Sequence, residues 1–171
     1  IHKGFGNANK ILSRLLYNGF ERFGLRVSKI DGGSLRNAIP RESTAIVLVD
    51  AVHKTTFEDA TTTLISAIEK EFQTLEPDLN ISVNPTNLPE TVMELGVQQP
   101  LLKALNVAHN GVFRMSPDIE GLVETSNNVA RVLVEKGQLK VGCLTRSSVE
   151  SSKWDLAQVL GATFELAGCT V

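Results

Sequence analysis

The sequence predicts an α/β fold of the α+β sandwich type, in which an antiparallel sheet carries helices on one face. Two observations support the prediction. Segments with apolar residues at helical spacing alternate with runs rich in β-branched residues. The order helix, strand, strand, helix, strand also occurs twice along the chain. Because an antiparallel strand pair flanked by two helices is half of a ferredoxin-like sandwich, we predict two duplicated ferredoxin-like halves.

The first half is assigned to residues 1–85. An apolar stripe with i, i+4 spacing begins at Asn7 and ends at Phe23, before the helix-stopping Gly24. The predicted elements are, in order, a helix over 7–23, strands over 25–30 and 45–49, a helix over 57–75 and a short strand over 81–83.

Three prolines in the segment from Pro85 to Pro100 predict a connector with at most a short helix, which we place at residues 86–100. The second half is assigned to residues 101–171. Its predicted elements are a helix over 101–108, a strand over 123–134, a hairpin turn over 135–138, a strand over 139–145, a helix over 151–167 and the start of a further strand after Gly168. Because Ile1 is not a start methionine and the chain stops as a strand begins, both ends are interpreted as cuts through a larger protein.

The composition is typical of a globular domain and argues against two classes of partner. The 171 residues are 42% hydrophobic and 21% charged, enough apolar side chain to form a core. The formal net charge of -2 leaves no broad basic field, so we predict no nucleic-acid partner. No apolar run approaches the roughly 20 residues of a membrane span, so we predict no membrane partner.

Little in the sequence suggests that this chain is catalytic by itself. His2, His53 and His109 are far apart, and none has the spacing that presents two metal ligands together. Cys143 and Cys169 are too few for a disulfide framework or a cysteine-based zinc site. We therefore predict that the chain binds no metal and no cofactor. The two thiols are interpreted as buried small side chains in a reducing cytoplasm.

The unusual segment is 31–42, which reads DGGSLRNAIPRE. Two successive glycines let the backbone turn and approach another group closely, and Pro40 restricts the chain that follows. Arg36, Asn37 and Arg41 offer hydrogen-bond donors. On chemistry alone two interpretations remain open: a wide strand connection with solvated arginines, or a donor cluster for an oxyanion or a carboxylate.

Residues 32–42 closely resemble the GGxxRNAIPRE signature of the aminoacyl-histidine dipeptidases, carnosine-cleaving members of the M20 zinc metallopeptidase family. Residues 6–10 (GNANK) and 121–128 (GLVETSNN) also agree with that subfamily, and the order of elements matches over nearly the whole chain. The resemblance implies the lid, or dimerisation, domain of a cytoplasmic enzyme that hydrolyses Xaa-His dipeptides with zinc. It also implies that the zinc ligands lie in a separate catalytic domain. That domain and the dipeptide would be the partners, with a homodimer left open.

The resemblance assigns roles to few residues of this chain. Asn37 matches the lid asparagine that faces the active site, which implies a catalytic contact to the oxyanion of the transition state. Arg146 matches the lid arginine that holds the terminal carboxylate of the substrate, a task that suits a planar guanidinium. Without the resemblance, a cap or a surface ion pair would be the simpler interpretation of Arg146. Arg36, beside Asn37, is assigned to substrate binding.

The duplication leads to an expectation about assembly. The position in the first half equivalent to Arg146 is occupied by Asp50 and Ala51. We therefore expect the second half to substitute for a partner's lid, so that one chain supplies both Asn37 and Arg146. The alternative is a non-catalytic ferredoxin-like module that binds an anionic ligand or dimerises. H-x-D and Glu-Glu segments in a longer reading frame would distinguish the two.

Overall fold

The computed structural model describes residues 2–171. Its helices and strands are, in chain order, α1 (Ala8–Phe23), β1 (Arg26–Gly32), β2 (Ser43–Leu48), α2 (Lys54–Phe72), α3 (Leu95–Val107), β3 (Gly111–Met115), β4 (Val123–Glu135), β5 (Gln138–Ser147) and α4 (Glu150–Leu166). A 3-10 turn at Ala51–His53 leads into α2. Across the described residues, no helix is both long enough and apolar enough to span a membrane.

The strands form one antiparallel sheet around the long strand β4. β5 pairs along one edge of β4. β3 and β1 share its other edge, with β3 opposite residues 123–127 and β1 opposite residues 132–134. β2 pairs with β1 at the outer side. The sheet is therefore continuous between the two halves of the chain through the β1–β4 pairing.

The helices pack on one face of this sheet. α1, α3 and α4 share a single apolar core with β1 and β4, in which a buried leucine or isoleucine contributes roughly 1.5–3 kcal/mol. The core includes Leu16, Val27, Ile30, Leu102, Leu105, Val129, Val132, Leu156 and Leu160. α2 packs against α1, and its Phe57 reaches the margin of the same core. The predicted α/β sandwich with an antiparallel sheet and helices on one face is confirmed.

The start of α3 differs from the prediction because a tertiary contact outweighs a proline. The helix begins at Leu95, inside the predicted connector, and continues through Pro100. Gln98 explains this early start: its side chain accepts from the Val27 amide at 2.8 Å and donates to the Leu25 carbonyl at 2.7 Å. These bonds tie the first turn of α3 to β1, which offsets the hydrogen bond lost at the proline. The division of the chain at residues 85 and 100 stays a prediction.

At three further places the strands of the structure differ from those predicted from the sequence. Residues 81–83 were predicted as a strand, which is wrong: they join no sheet, and the Ile81 amide lies 3.4 Å from Glu69 Oε1. The segment after Gly168 forms no strand either. β3 was not predicted, because its pairing with β4 is irregular on both sides of Arg114 and its residues do not alternate cleanly.

Candidate functional site

Asparagine side chains fill a gap in the sheet where the three motif segments, residues 6–10, 32–42 and 121–128, meet. Between its pairings with β3 and β1, strand β4 has no partner strand along residues 128–131 of that edge. The Val129 carbonyl accepts from Asn7 Nδ2 and Asn9 Nδ2, both at 3.1 Å. The Val129 amide donates to Asn110 Oδ1 at 2.9 Å. These side chains therefore supply the hydrogen-bond partners that buried backbone groups require.

The Gly32–Gly33 turn lies against this gap and needs both glycines. Gly33 has a φ of 71°, and a Cβ there would lie 2.0 Å from the Ala130 carbonyl oxygen. A Cβ on Gly32 would lie 1.9 Å from Asn9 Oδ1 and 2.1 Å from Ser43 Oγ. The close approach of the backbone that was predicted for these glycines is confirmed.

Replacing Gly33 with alanine is expected to destabilise the chain by about 2–5 kcal/mol, the sum of left-handed backbone strain and overpacking. Gly121 is a matched control, because its φ is 75° and a Cβ there would meet nothing within 4 Å. Gly121→Ala should cost only about 1–2 kcal/mol. Urea unfolding of both variants measures the difference. Equal losses would contradict the close approach to Ala130.

The loop that follows the turn presents Arg36 and Asn37 to solvent. Asn128, on β4, holds this loop: its Nδ2 donates to the Arg36 carbonyl at 3.2 Å and to the Ala38 carbonyl at 2.7 Å. Within the loop, the Ala38 amide donates to the Leu35 carbonyl at 3.3 Å. The side chain of Asn37 therefore projects from a segment whose backbone is fixed to the centre of the sheet.

Ion pairs hold both ends of the same loop. At its start, Arg131 Nη1 donates to Asp31 Oδ1 at 2.6 Å and to the Gly33 carbonyl at 2.7 Å, and the hydrogen bond from Arg131 lowers the pKa of Asp31. At its end, Arg41 forms an ion pair with Glu76. The hydrogen bond from Arg41 is the main cause of the lowered pKa of the Glu76 carboxyl. Arg41 is thus engaged in the fold, whereas Arg36 is exposed.

Arg146 lies near the end of β5 and is exposed. Cys143, on the same strand, packs against the core beneath the helices. Because side chains alternate along a strand, Arg146 lies on the opposite, helix-free face. Its register partner on β4 is Ser126, next but one to Asn128. Along β4, the position paired with Arg146 is thus two residues from Asn128, whose side chain contacts the loop that carries Arg36 and Asn37.

Lys10 is the last residue of the GNANK motif, and its side chain caps the C-terminal end of α3. Its Nζ donates to the carbonyl oxygens of Leu105 at 2.6 Å, Asn106 at 2.9 Å and Ala108 at 2.9 Å. A cation at this end of a helix is also favoured by the helix dipole. Burial lowers the pKa of the amine to about 8. The first and second halves are thereby joined through α1 and α3.

Among the histidines and cysteines, His109 and Cys143 are partly buried. His109 packs edge to face on Phe113, with ring centroids 5.4 Å apart, and His53 is exposed. Burial raises the pKa of the Cys143 thiol. Across residues 2–171, no three side chains of His, Cys, Asp or Glu come together as a set that could hold a metal ion. The residues that the structure describes therefore do not fit a metal centre.

Comparisons with known proteins agree with the motif resemblance. A family model described as the peptidase dimerisation domain of the M20 group matches residues 2–76. The cytosol non-specific dipeptidase of Escherichia coli (strain K12) is 33% identical over 168 residues, which are 98% of this chain and 35% of that protein. The solved aminoacylhistidine dipeptidase from Vibrio alginolyticus matches with a TM-score of 0.95 at 35% identity, over 99% of this chain.

The chain thus spans 35% of the length of each of these two dipeptidases. Both relatives are peptidases, and the matching part of the Vibrio enzyme has the same fold as the sheet and helices described above. The resemblance to the dipeptidases of the M20 family is therefore confirmed, and it extends over almost the whole chain.

Proposed function

We propose that this chain is the lid domain of a zinc-dependent cytoplasmic dipeptidase that hydrolyses Xaa-His dipeptides. Its helix-free face supplies Arg146 and Asn37 to the substrate site. The observation that carries the proposal is the register of β4 and β5: the partner of Arg146 is Ser126, two residues before Asn128, which holds the loop bearing Asn37. The similarity to two dipeptidases over almost the whole chain supports the substrate class.

In this proposal the lid binds and orients the dipeptide. The Arg146 guanidinium binds the terminal carboxylate through two parallel hydrogen bonds, a geometry that lysine does not offer. The Asn37 amide donates to the scissile carbonyl oxygen as negative charge develops on it. Arg36, exposed beside Asn37, adds a second cation that attracts the carboxylate. Zinc and its ligands are assigned to a separate catalytic domain, so this chain contributes binding and orientation.

We also propose that the complete peptidase forms a homodimer through this domain, as the peptidase dimerisation family suggests. Arg146 is on β5 and the loop bearing Asn37 is held by Asn128 on the neighbouring strand β4, so both residues can come from one chain. A partner subunit is therefore not required to bring the two side chains together. Dimerisation would instead hold the lid in place over the catalytic domain.

The 171-residue chain is expected to hold no stoichiometric zinc and to leave carnosine-like dipeptides intact, since no set of metal-ligand side chains comes together across residues 2–171. The complete reading frame is expected to bind zinc and hydrolyse the same dipeptides. Metal analysis of tag-free protein and a dipeptide assay, run on both proteins, provide the test. One tightly bound zinc per 171-residue chain, or a complete protein without peptidase activity, would refute the proposal.

A further inference from the structure

We propose that Asn128 is a positioning residue that sets the direction of the Asn37 side chain. This inference rests on the proposed role of Asn37. The Asn128 amide group has two N–H donors, and both are used on one loop, at the carbonyl oxygens of Arg36 and Ala38. These two carbonyls lie directly before and after Asn37 in the chain. Asn128 thus holds the peptide groups on both sides of the residue that is proposed to contact the substrate.

The orientation of the Asn37 side chain depends on its backbone. Its side chain is exposed, so packing does not restrict its rotamer. The direction of its Cα–Cβ bond therefore depends on the backbone of residues 36–38, which Asn128 holds at two carbonyls and the Ala38–Leu35 hydrogen bond closes into a turn. Displacing a catalytic group by as little as ~1 Å can cost a large part of its effect, because the productive geometry is narrow.

Asn128 is itself held by burial and by hydrogen bonds. Asn128 is only 8% exposed and lies on the long strand β4. Its Oδ1 accepts from Asn7 Nδ2 at 3.0 Å. Asn7 is fixed in turn, because it caps the start of α1 by accepting from the Lys10 amide at 3.1 Å, and because its Nδ2 lies 2.8 Å from Asn110 Oδ1. A chain of hydrogen bonds therefore runs from the start of α1 through Asn128 to the loop.

Only a donor group at position 128 can hold the two carbonyls. In Asn128→Asp, a carboxylate of nearly the same shape would face both carbonyl oxygens without a proton to donate. The loop should separate from β4 while the rest of the sheet stays paired. Asn127 provides a matched control: it is the next residue in the strand, 0% exposed, and its Nδ2 donates to the His109 carbonyl at 2.7 Å, away from the loop. Asn127→Asp carries the same chemical change without touching residues 36–38.

The first measurement is made on the 171-residue chain. Backbone ¹⁵N relaxation is expected to show the order parameter of Asn37 falling below ~0.6 in Asn128→Asp, the range of flexible backbone, and remaining at its wild-type value in Asn127→Asp. Asn128→Ala, which removes both donors without adding a charge, carries the same expectation if the aspartate variant does not fold. An unchanged order parameter at Asn37 in a folded Asn128 variant would overturn the proposal.

The second measurement is made on the complete peptidase. Asn128→Asp is expected to lower kcat by ~10–100-fold with little change in KM, as a misplaced transition-state donor would. In an Asn37→Ala background the same change should have no further effect on kcat, since the group that Asn128 positions is already gone. An undiminished effect in that background would overturn the positioning role. A normal kcat for Asn37→Ala alone would instead refute the proposed function, while the relaxation measurement would still decide whether Asn128 orders the loop.

Discussion

Replacing Arg146 with alanine in the complete peptidase is expected to lower kcat/KM for free-acid dipeptides by about 1.5 to 3.5 decades. In the proposed site, the lost interaction is a charge-assisted pair with the terminal carboxylate, worth ~2–5 kcal/mol once it is shielded from water. Arg146 is exposed in this domain, so the full effect depends on closure of the lid over the substrate. Dipeptides amidated at the C-terminus lack the carboxylate and should lose much less. The kcat/KM ratio of the two substrate types is the quantity to measure.

Two variants serve as controls for Arg146. Lys140 is an exposed cation on the same strand and the same face, but it pairs with Leu133, at the other end of β4 from Ser126. Lys140→Ala should leave both substrates unaffected. Arg146→Lys keeps the charge but lacks the planar guanidinium with its two parallel donors, so it should retain only part of the wild-type activity. Equal losses for the free acid and the amide would remove carboxylate binding as the role of Arg146.

Asn37→Ala in the complete peptidase is expected to lower kcat by ~10²–10³ with little change in KM. The reason is that a donor to the developing oxyanion acts mainly in the transition state. Because Asn37 is exposed, its loss should change the free energy of unfolding by no more than about 0.5 kcal/mol. Steady-state kinetics and thermal unfolding of the same variant provide the two measurements.

Asn84→Ala is the matched control, since Asn84 is exposed on a segment outside the loop and the sheet. It should leave kcat and stability unchanged. An asparagine that merely braces the loop would give a different result for Asn37→Ala, namely a destabilised domain with a normal kcat. That outcome would show that Asn37 stabilises the fold and does not contribute to catalysis.

The elements that could be predicted from sequence are those whose signal is local. The helix predicted over 7–23 is observed at Ala8–Phe23, and the strand predicted over 123–134 at Val123–Glu135. The hairpin turn predicted over 135–138 is also observed, with positive φ at Lys136 and Gly137, the turn that matches the twist of paired strands. The elements that were missed or wrong depend on distant partners: β3 needs β4, and residues 81–83 have no strand to pair with.

The same distinction applies to the candidate site. The two glycines and the donors around Asn37 were recognisable because residue type alone indicates a tight turn with exposed amides and guanidinium groups. The roles of Asn7 and Asn128 were not predictable, because the unpaired edge of β4 exists only when β1 and β3 share that edge. Arg41 was named with Arg36 and Asn37 as an available donor, but its pairing with Glu76 depends on where α2 ends.

The most direct test of the substrate site is a crystal structure of the complete peptidase with a non-hydrolysable dipeptide analogue. We expect two guanidinium nitrogens of Arg146 to lie ~2.7–2.9 Å from the oxygens of the terminal carboxylate. The Asn37 amide nitrogen should lie ~2.7–3.1 Å from the oxygen that replaces the scissile carbonyl oxygen. Both residues should come from the same chain. A carboxylate bound by other groups while Arg146 stays in solvent, or a site in which Arg146 and Asn37 come from different subunits, would contradict the account.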